Sequence, residues 1–222
     1  MAIDSIFKKF EDHFDCVGII PTELYNAEAK KHGFAQTEKK YPTMAVLAYA
    51  YPKRTIKHSK THLIPSFYTF GRDYHLVLKD KIKTICQDLD FAYDYGVDNH
   101  PLNERLMAQL AGLGFFGKNQ LIINQAFGSY VFLAYVLMDT PFTKTYKQPI
   151  LDNCGDCRRC IDACPTGALV DGGYITEKCI SYYNQEKKPL TPEQIKKNYQ
   201  LFGCDICQLV CPKNIKKGYL VH

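Results

Sequence analysis

Eight of the ten cysteines crowd between Cys154 and Cys211, at spacings that suit iron–sulfur clusters. Cys154-x2-Cys157-x2-Cys160-x3-Cys164-Pro165 is the run of a bacterial ferredoxin, in which three thiolates hold one cubane and the fourth ligates the other. Structural zinc sites space their ligands differently, so zinc is set aside. Cys204-x2-Cys207-x3-Cys211-Pro212 supplies the last three positions of a second run, and Cys179 is the free candidate for its missing first corner. Exchanging the fourth ligands between runs gives Cys154, Cys157, Cys160 and Cys211 for cluster one. Cluster two takes Cys164, Cys179, Cys204 and Cys207. Two [4Fe-4S] clusters held this way pass single electrons between them, so electron transfer is the minimal chemistry expected.

The remaining cysteines, Cys16 and Cys86, have apolar neighbours and read as small buried hydrophobes. Ten cysteines at short spacings, with no signal sequence in Met1 to Phe14, predict a reducing, cytoplasmic location. No run approaches the ~18 apolar residues of a membrane span. A formal charge of +5, from 28 Lys and Arg against 23 Asp and Glu, permits an acidic partner without requiring one.

These cysteines need elements to hold them. A boundary is expected near 150, in a polar stretch with Pro141 and Pro149, dividing residues 1–150 from a cluster-binding domain at 151–222. In the first part, Ile3, Ile6, Phe7 and Phe10 have helical spacing, and Met44 to Tyr51 reads as a buried strand. Helices are expected over 72–89 and, started by Pro101, over 102–113. Phe91 to Val97 reads as a strand, and Leu121 to Asn124 with Tyr130 to Met138 as a hairpin around Gly128. The mixture is α/β or α+β. Gly112, Gly114 and Gly117 follow no strand of the nucleotide-loop kind, so a dinucleotide site is rejected.

Several segments together resemble the epoxyqueuosine reductase family, corrinoid iron–sulfur enzymes related to reductive dehalogenases. They are Gly71-Arg-Asp-Tyr-His75, Val97-Asp-Asn-His-Pro-Leu-Asn-Glu-Arg105, Ala111-Gly-Leu-Gly-Phe-Phe-Gly-Lys-Asn119, Leu121-Ile-Ile-Asn124, Cys179-Ile-Ser-Tyr182 and Gly203-Cys-Asp-Ile-Cys-Gln-Leu-Val-Cys-Pro212. The resemblance implies a nitroreductase-like cobalamin domain, then a two-cluster ferredoxin-like domain. It implies a reductase that converts epoxyqueuosine to queuosine in tRNA, with Asp98 as proton donor. Cobalamin contacts carry over to Ile122, Ile123, Asn124, Leu133, Tyr182, Glu186, Cys204 and Asp205. A monomer served by a low-potential flavodoxin or ferredoxin is expected, with tRNA as a partner.

Plainer readings stand beside these. Asp98 also fits a helix cap, Ile122, Ile123 and Leu133 fit strand core, and Arg72 and His75 fit either a cofactor contact or a solvated helix face. Lys53, Arg54, Lys57, His58 and Lys60 fit either a basic rim for RNA or a solvated loop. The sequence departs from the family in lacking a Gly-x-x-Gly insert before the first strand, and it runs ten residues past Pro212, without the extension that helps hold tRNA. Asn99-His100 replaces a small pair, making His100 either a second acid or a plug. The alternative function is a non-catalytic electron carrier or corrinoid-reducing partner.

Overall fold

The computed structural model describes residues 3–37, 40–54, 63–98, 100–142, 149–150, 152–214 and 220–221. The chain divides into two units, each built from three separated stretches. The first comprises Met1–Ala50, Arg72–Phe115 and Val131–Asp152; the second comprises Tyr51–Gly71, Phe116–Tyr130 and Asn153–His222. The single cut expected near 150 is therefore interrupted twice. Residues 51–71 and 116–130 belong with the cysteine-rich stretch.

The first unit is built on a four-stranded sheet: β1 (Cys16–Pro21), β2 (Thr43–Ala50), β3 (Tyr93–Gly96) and β4 (Val131–Met138). Their order is β1-β2-β4-β3 and each neighbouring pair is antiparallel, which resolves the fold class of this unit to α+β. Helices α1 (Ile3–His13) and α3 (Tyr74–Cys86) place Ile6, Phe10, Leu78, Ile82 and Ile85 in one core cluster with Val17, Ile19, Ala45, Leu47, Ala134 and Val136. Helices α2 (Thr22–Lys31) and α4 (Glu104–Leu110) bury Tyr25, Ala29, Leu106 and Met107, and both pack against β1. Strands covered on both faces carry continuous apolar runs instead of alternation, as Met44 to Ala50 does.

The expected hairpin fails, because β4 is an inner strand with Ala48 opposite Leu133 and Tyr95 opposite Val136. Asn124 instead bridges to Gly128, closing a tight turn. Pro101 does not open a helix, since Asn103 caps α4 by accepting the Leu106 N–H at 3.0 Å. Asp98 is thus not the cap. Strand β1 and helix α2 were not anticipated, while Cys86 is buried as expected and Cys16 is half-buried on β1.

Among the described residues, the second unit contains only short elements. They include α5 (Arg159–Asp162), α6 (Ile180–Tyr183), α7 (Pro192–Lys197) and α8 (Ile206–Leu209), with a two-stranded hairpin of Leu169–Val170 and Gly173–Tyr174. α5 ends just before Cys164-Pro165 and α8 just before Cys211-Pro212, where proline removes the N–H that a longer helix needs. A buried polar network ties the stretches of this unit together. Gln208 Nε2 donates to the Tyr51 hydroxyl at 3.0 Å and to the Ser129 carbonyl at 3.0 Å. Asn214 donates to Ser129 Oγ at 2.7 Å and accepts the Ser129 N–H at 2.9 Å. Among the described residues, no helix is long and apolar enough to cross a membrane.

Candidate functional site

The eight thiols of the second unit sort by their electrostatic neighbours. Burial pushes the Cys160 thiol up, and repulsion from Cys154 and Cys211 adds to it. Cys211 is raised first by burial and then by Cys154 and Cys157. Cys204 is pushed up to about 11 by burial, with Cys179, Asp205 and Cys164 contributing. Cys207 is raised by burial and by Cys204, Cys179, Cys160 and Cys164, so Cys160 is its one neighbour from the other set. Cys154 thus acts on both Cys160 and Cys211, and Cys179 and Cys164 act on both Cys204 and Cys207.

A cavity lined by Cys154, Cys157, Cys160 and Cys211 also exposes Lys118, Asn119 and Ile123 to its interior. The Lys118 N–H donates to Cys154 Sγ at 3.4 Å, and Lys118 Nζ donates to the Gly155 carbonyl at 2.8 Å. Burial opposes ionisation of Cys164, yet N–H groups of Leu169, Thr166 and Ala168 and the Thr166 hydroxyl outweigh it and lower that thiol. N–H···S donors of this kind stabilise cluster sulfurs.

Asp205 is 2 % exposed and its carboxylate is fully engaged. It accepts from Ser66 Oγ, from the Phe67 N–H at 3.0 Å and from Gln200 Nε2 at 3.1 Å. Burial raises its pKa against the pull of those donors. The Asn124 side chain is similarly committed, accepting the Ala126 and Phe127 N–H groups at 2.8 and 3.1 Å. Ile122 and Ile123 are buried. From these four residues, a bound group would meet main chain more readily than side chain. Tyr182 is exposed on α6, and Glu186 is exposed shortly after it. Leu133 lies on β4 and belongs to the first unit, and the other seven residues of its group belong to the second.

In the first unit, Asp98 follows β3 with φ +57°, in the left-handed region that aspartate and asparagine tolerate better than most residues. Gly96 precedes it because a Cβ there would lie 2.4 Å from the Tyr135 ring. His75 Nε2 meets Asp98 Oδ2 at 3.1 Å, while its Nδ1 meets Asp73 Oδ1 at 2.8 Å. Both ring nitrogens face carboxylates, which suits the imidazolium, a donor at both positions. Burial pulls the His75 pKa down, but Asp98 and Asp73 outweigh it, and the net direction is up. Sequence reasoning left His75 between a cofactor contact and a solvated face; the structure instead pairs it with Asp98. Among the described residues of this site, His100 is half-buried and packs edge-on against Tyr135. Lys57, His58 and Lys60 lie outside the described residues.

Glu104 is the residue of this cluster that sequence reasoning missed. Its Oε1 accepts the Asp98 N–H at 2.8 Å and so braces the left-handed turn. Burial, aided by the Asp98 charge and opposed by that N–H, pushes its carboxyl from 4.5 up to about 7. The folded chain therefore binds more protons than the unfolded chain between those values, and stability falls as pH rises through that window. Glu104→Gln keeps an acceptor for the Asp98 N–H. We expect urea titrations between pH 4 and 8, roughly the window spanned by this shift, to show the wild type losing stability and the variant a flatter profile.

A family model for a 4Fe-4S double cluster binding domain matches residues 153–214. An epoxyqueuosine reductase of Cyclobacterium marinum is 42% identical over 173 residues, covering 74% of this chain and 55% of that protein. The chain thus spans about half the length of the curated relatives it matches. An epoxyqueuosine reductase crystallised with an epoxyqueuosine-modified tRNA-Tyr stem loop superposes with a TM-score of 0.83 at 30% identity, covering 99% of this chain and 67% of that one. The Bacillus subtilis epoxyqueuosine reductase, solved with an aspartate-bearing catalytic loop swung out of the active site, gives 0.78 at 29% identity, covering 97% and 66%.

Proposed function

Because this chain belongs to the epoxyqueuosine reductase family, we propose that it takes part in reducing epoxyqueuosine to queuosine in tRNA, using two [4Fe-4S] clusters and a cobalamin. The observation that carries this reading is the presence, in one chain, of a cavity lined by Cys154, Cys157, Cys160 and Cys211 within a double-cluster domain and of an exposed Asp98 whose carboxylate meets His75 and whose backbone is held by Glu104. Removing an epoxide oxygen as water, leaving an alkene, consumes two electrons and two protons. A bound corrinoid, reduced through the clusters, would supply the electrons. Cys154, Cys157, Cys160 and Cys211 would hold cluster one, and Cys164, Cys179, Cys204 and Cys207 cluster two. Main chain at Ile122, Ile123, Asn124, Cys204 and Asp205, with the side chains of Leu133, Tyr182 and Glu186, would hold the corrinoid.

Asp98 relays protons to the leaving oxygen. The His75 imidazolium, hydrogen-bonded to that carboxylate, passes its Nε2 proton to Asp98, which hands it on. His75 recharges from solvent for the second proton, while Asp73 keeps the ring oriented through Nδ1. Glu104 holds the Asp98 backbone, so the carboxylate is presented in one direction. Electrons enter from a low-potential flavodoxin or ferredoxin in the cytoplasm, and the chain works as a monomer on its tRNA.

The test is anaerobic reconstitution with iron, sulfide and cobalamin, followed by reaction with an epoxyqueuosine-modified anticodon stem loop and a low-potential reductant. A base-off cobalamin spectrum and formation of queuosine are expected. Full iron content with no retained corrin, and no queuosine, would overturn the reading in favour of an electron carrier.

A further inference from the structure

Asn119 is 6 % exposed, and among the described residues its Nδ2 has no hydrogen-bond acceptor. A buried amide of this kind points to a partner outside the polypeptide. The amide orientation is fixed, because Oδ1 accepts the Leu121 N–H at 3.3 Å and a flip would set one donor against another. Gly117 leaves room for this arrangement, since a Cβ there would lie 2.5 Å from Asn119 Oδ1. Asn119 lines the cavity that holds Cys154, Cys157, Cys160 and Cys211. Its neighbour Lys118 already turns a backbone N–H toward Cys154 Sγ.

We propose that Asn119 is a positioning residue for cluster one: its Nδ2–H donates to a sulfur of that cluster and raises the cluster's reduction potential. The inference rests on the reading of those four thiols as cluster ligands. One-electron reduction adds negative charge to the cluster sulfurs, so a fixed donor stabilises the reduced form more than the oxidised form. Asn119 also brings that donor without a titrating charge. The effect on the potential is therefore the same across the working pH range.

The experiment is an EPR-monitored potentiometric titration of the reconstituted full chain. Asn119→Asp keeps the shape and the acceptor for Leu121 but replaces the donor by an oxygen; Asn119→Leu removes the amide. Both should retain about eight irons per chain, as two cubanes require. Cluster one should become harder to reduce, with about a tenfold lower ratio of reduced to oxidised form at fixed potential in the leucine variant, about 59 mV for one electron. Cluster two should not move.

An unchanged cluster-one potential in fully loaded variants overturns the inference. Wild-type protein that loads only one cluster overturns the ligand reading beneath it instead. Should both variants lose cluster one, the wild type decides. Protein labelled with 15N-asparagine and reduced should show a side-chain amide nitrogen coupled to cluster one in pulsed EPR, and absence of that coupling overturns the inference.

Discussion

Replacing Cys179 by alanine is expected to lower the iron content of the reconstituted protein from about eight to about four per chain and to remove one of two EPR signals. Cys179 is the ligand outside both compact runs, directly before α6, and it stands among the electrostatic neighbours of Cys204 and Cys207. Its loss leaves Cys164, Cys204 and Cys207 with an open corner. The companion variant Cys211→Ala should remove the other signal, although Cys211 lies in the same run as Cys204 and Cys207. That crossed result would be hard to obtain from any uncrossed assignment. Cys86→Ala is the control: Cys86 is buried on α3 in the first unit, where burial pushes its thiol up to about 12, and iron content should not change. If Cys179→Ala retains about eight irons, the assignment of cluster two is wrong.

Asp98→Asn is expected to slow queuosine formation by about 10²- to 10⁴-fold, the usual contribution of a positioned general acid. The substitution is chosen for its backbone. Asparagine accepts φ +57° about as readily as aspartate, so the turn braced by Glu104 should persist, whereas alanine would add strain of about 1–2 kcal/mol. The asparagine oxygen can still meet His75 Nε2, yet it carries no acidic proton. Single-turnover assays with iron and cobalamin content measured on the same samples separate chemistry from loading. A variant with wild-type rate and full loading would remove Asp98 from the mechanism.

The double-cluster domain was legible in the sequence because a cubane imposes short, fixed spacings on most of its ligands. The braces were not. Asn119 sits in a glycine-rich loop where a polar residue gives no periodic signal, and its burial follows from Phe116–Tyr130 joining the second unit. Glu104 looked like an ordinary first-turn helix residue, and only the Asn103 cap puts its carboxylate beneath the Asp98 N–H. The 131–138 run announced a strand, but an apolar strand does not say which neighbour it pairs with, so a nearby hairpin was expected where the chain forms an inner strand between β2 and β3. β1 was missed because it is six residues long and its last residue is a proline. The boundary expected near 150 coincides with the cut after Asp152, but the two earlier crossings, at 51–71 and 116–130, were not anticipated. The Lys- and His-rich stretch after Pro52 reads as a surface loop, and residues 116–130 carry no linker-like composition.

Gln208 and Asn214 reach Ser129 and Tyr51, residues translated long before them. The eight-thiol stretch is therefore no cassette. A gene segment for residues 153–214 would encode all eight ligands, yet not the loop that lines the cluster-one cavity or the partners of two buried amides. During synthesis the scaffold emerges first and waits, and the last ligand, Cys211, arrives only after both interrupting stretches have left the ribosome. Recombination that traded ferredoxin-like modules between proteins would have to carry three pieces of this chain at once, which ties the inheritance of the electron path to that of the unit it threads through.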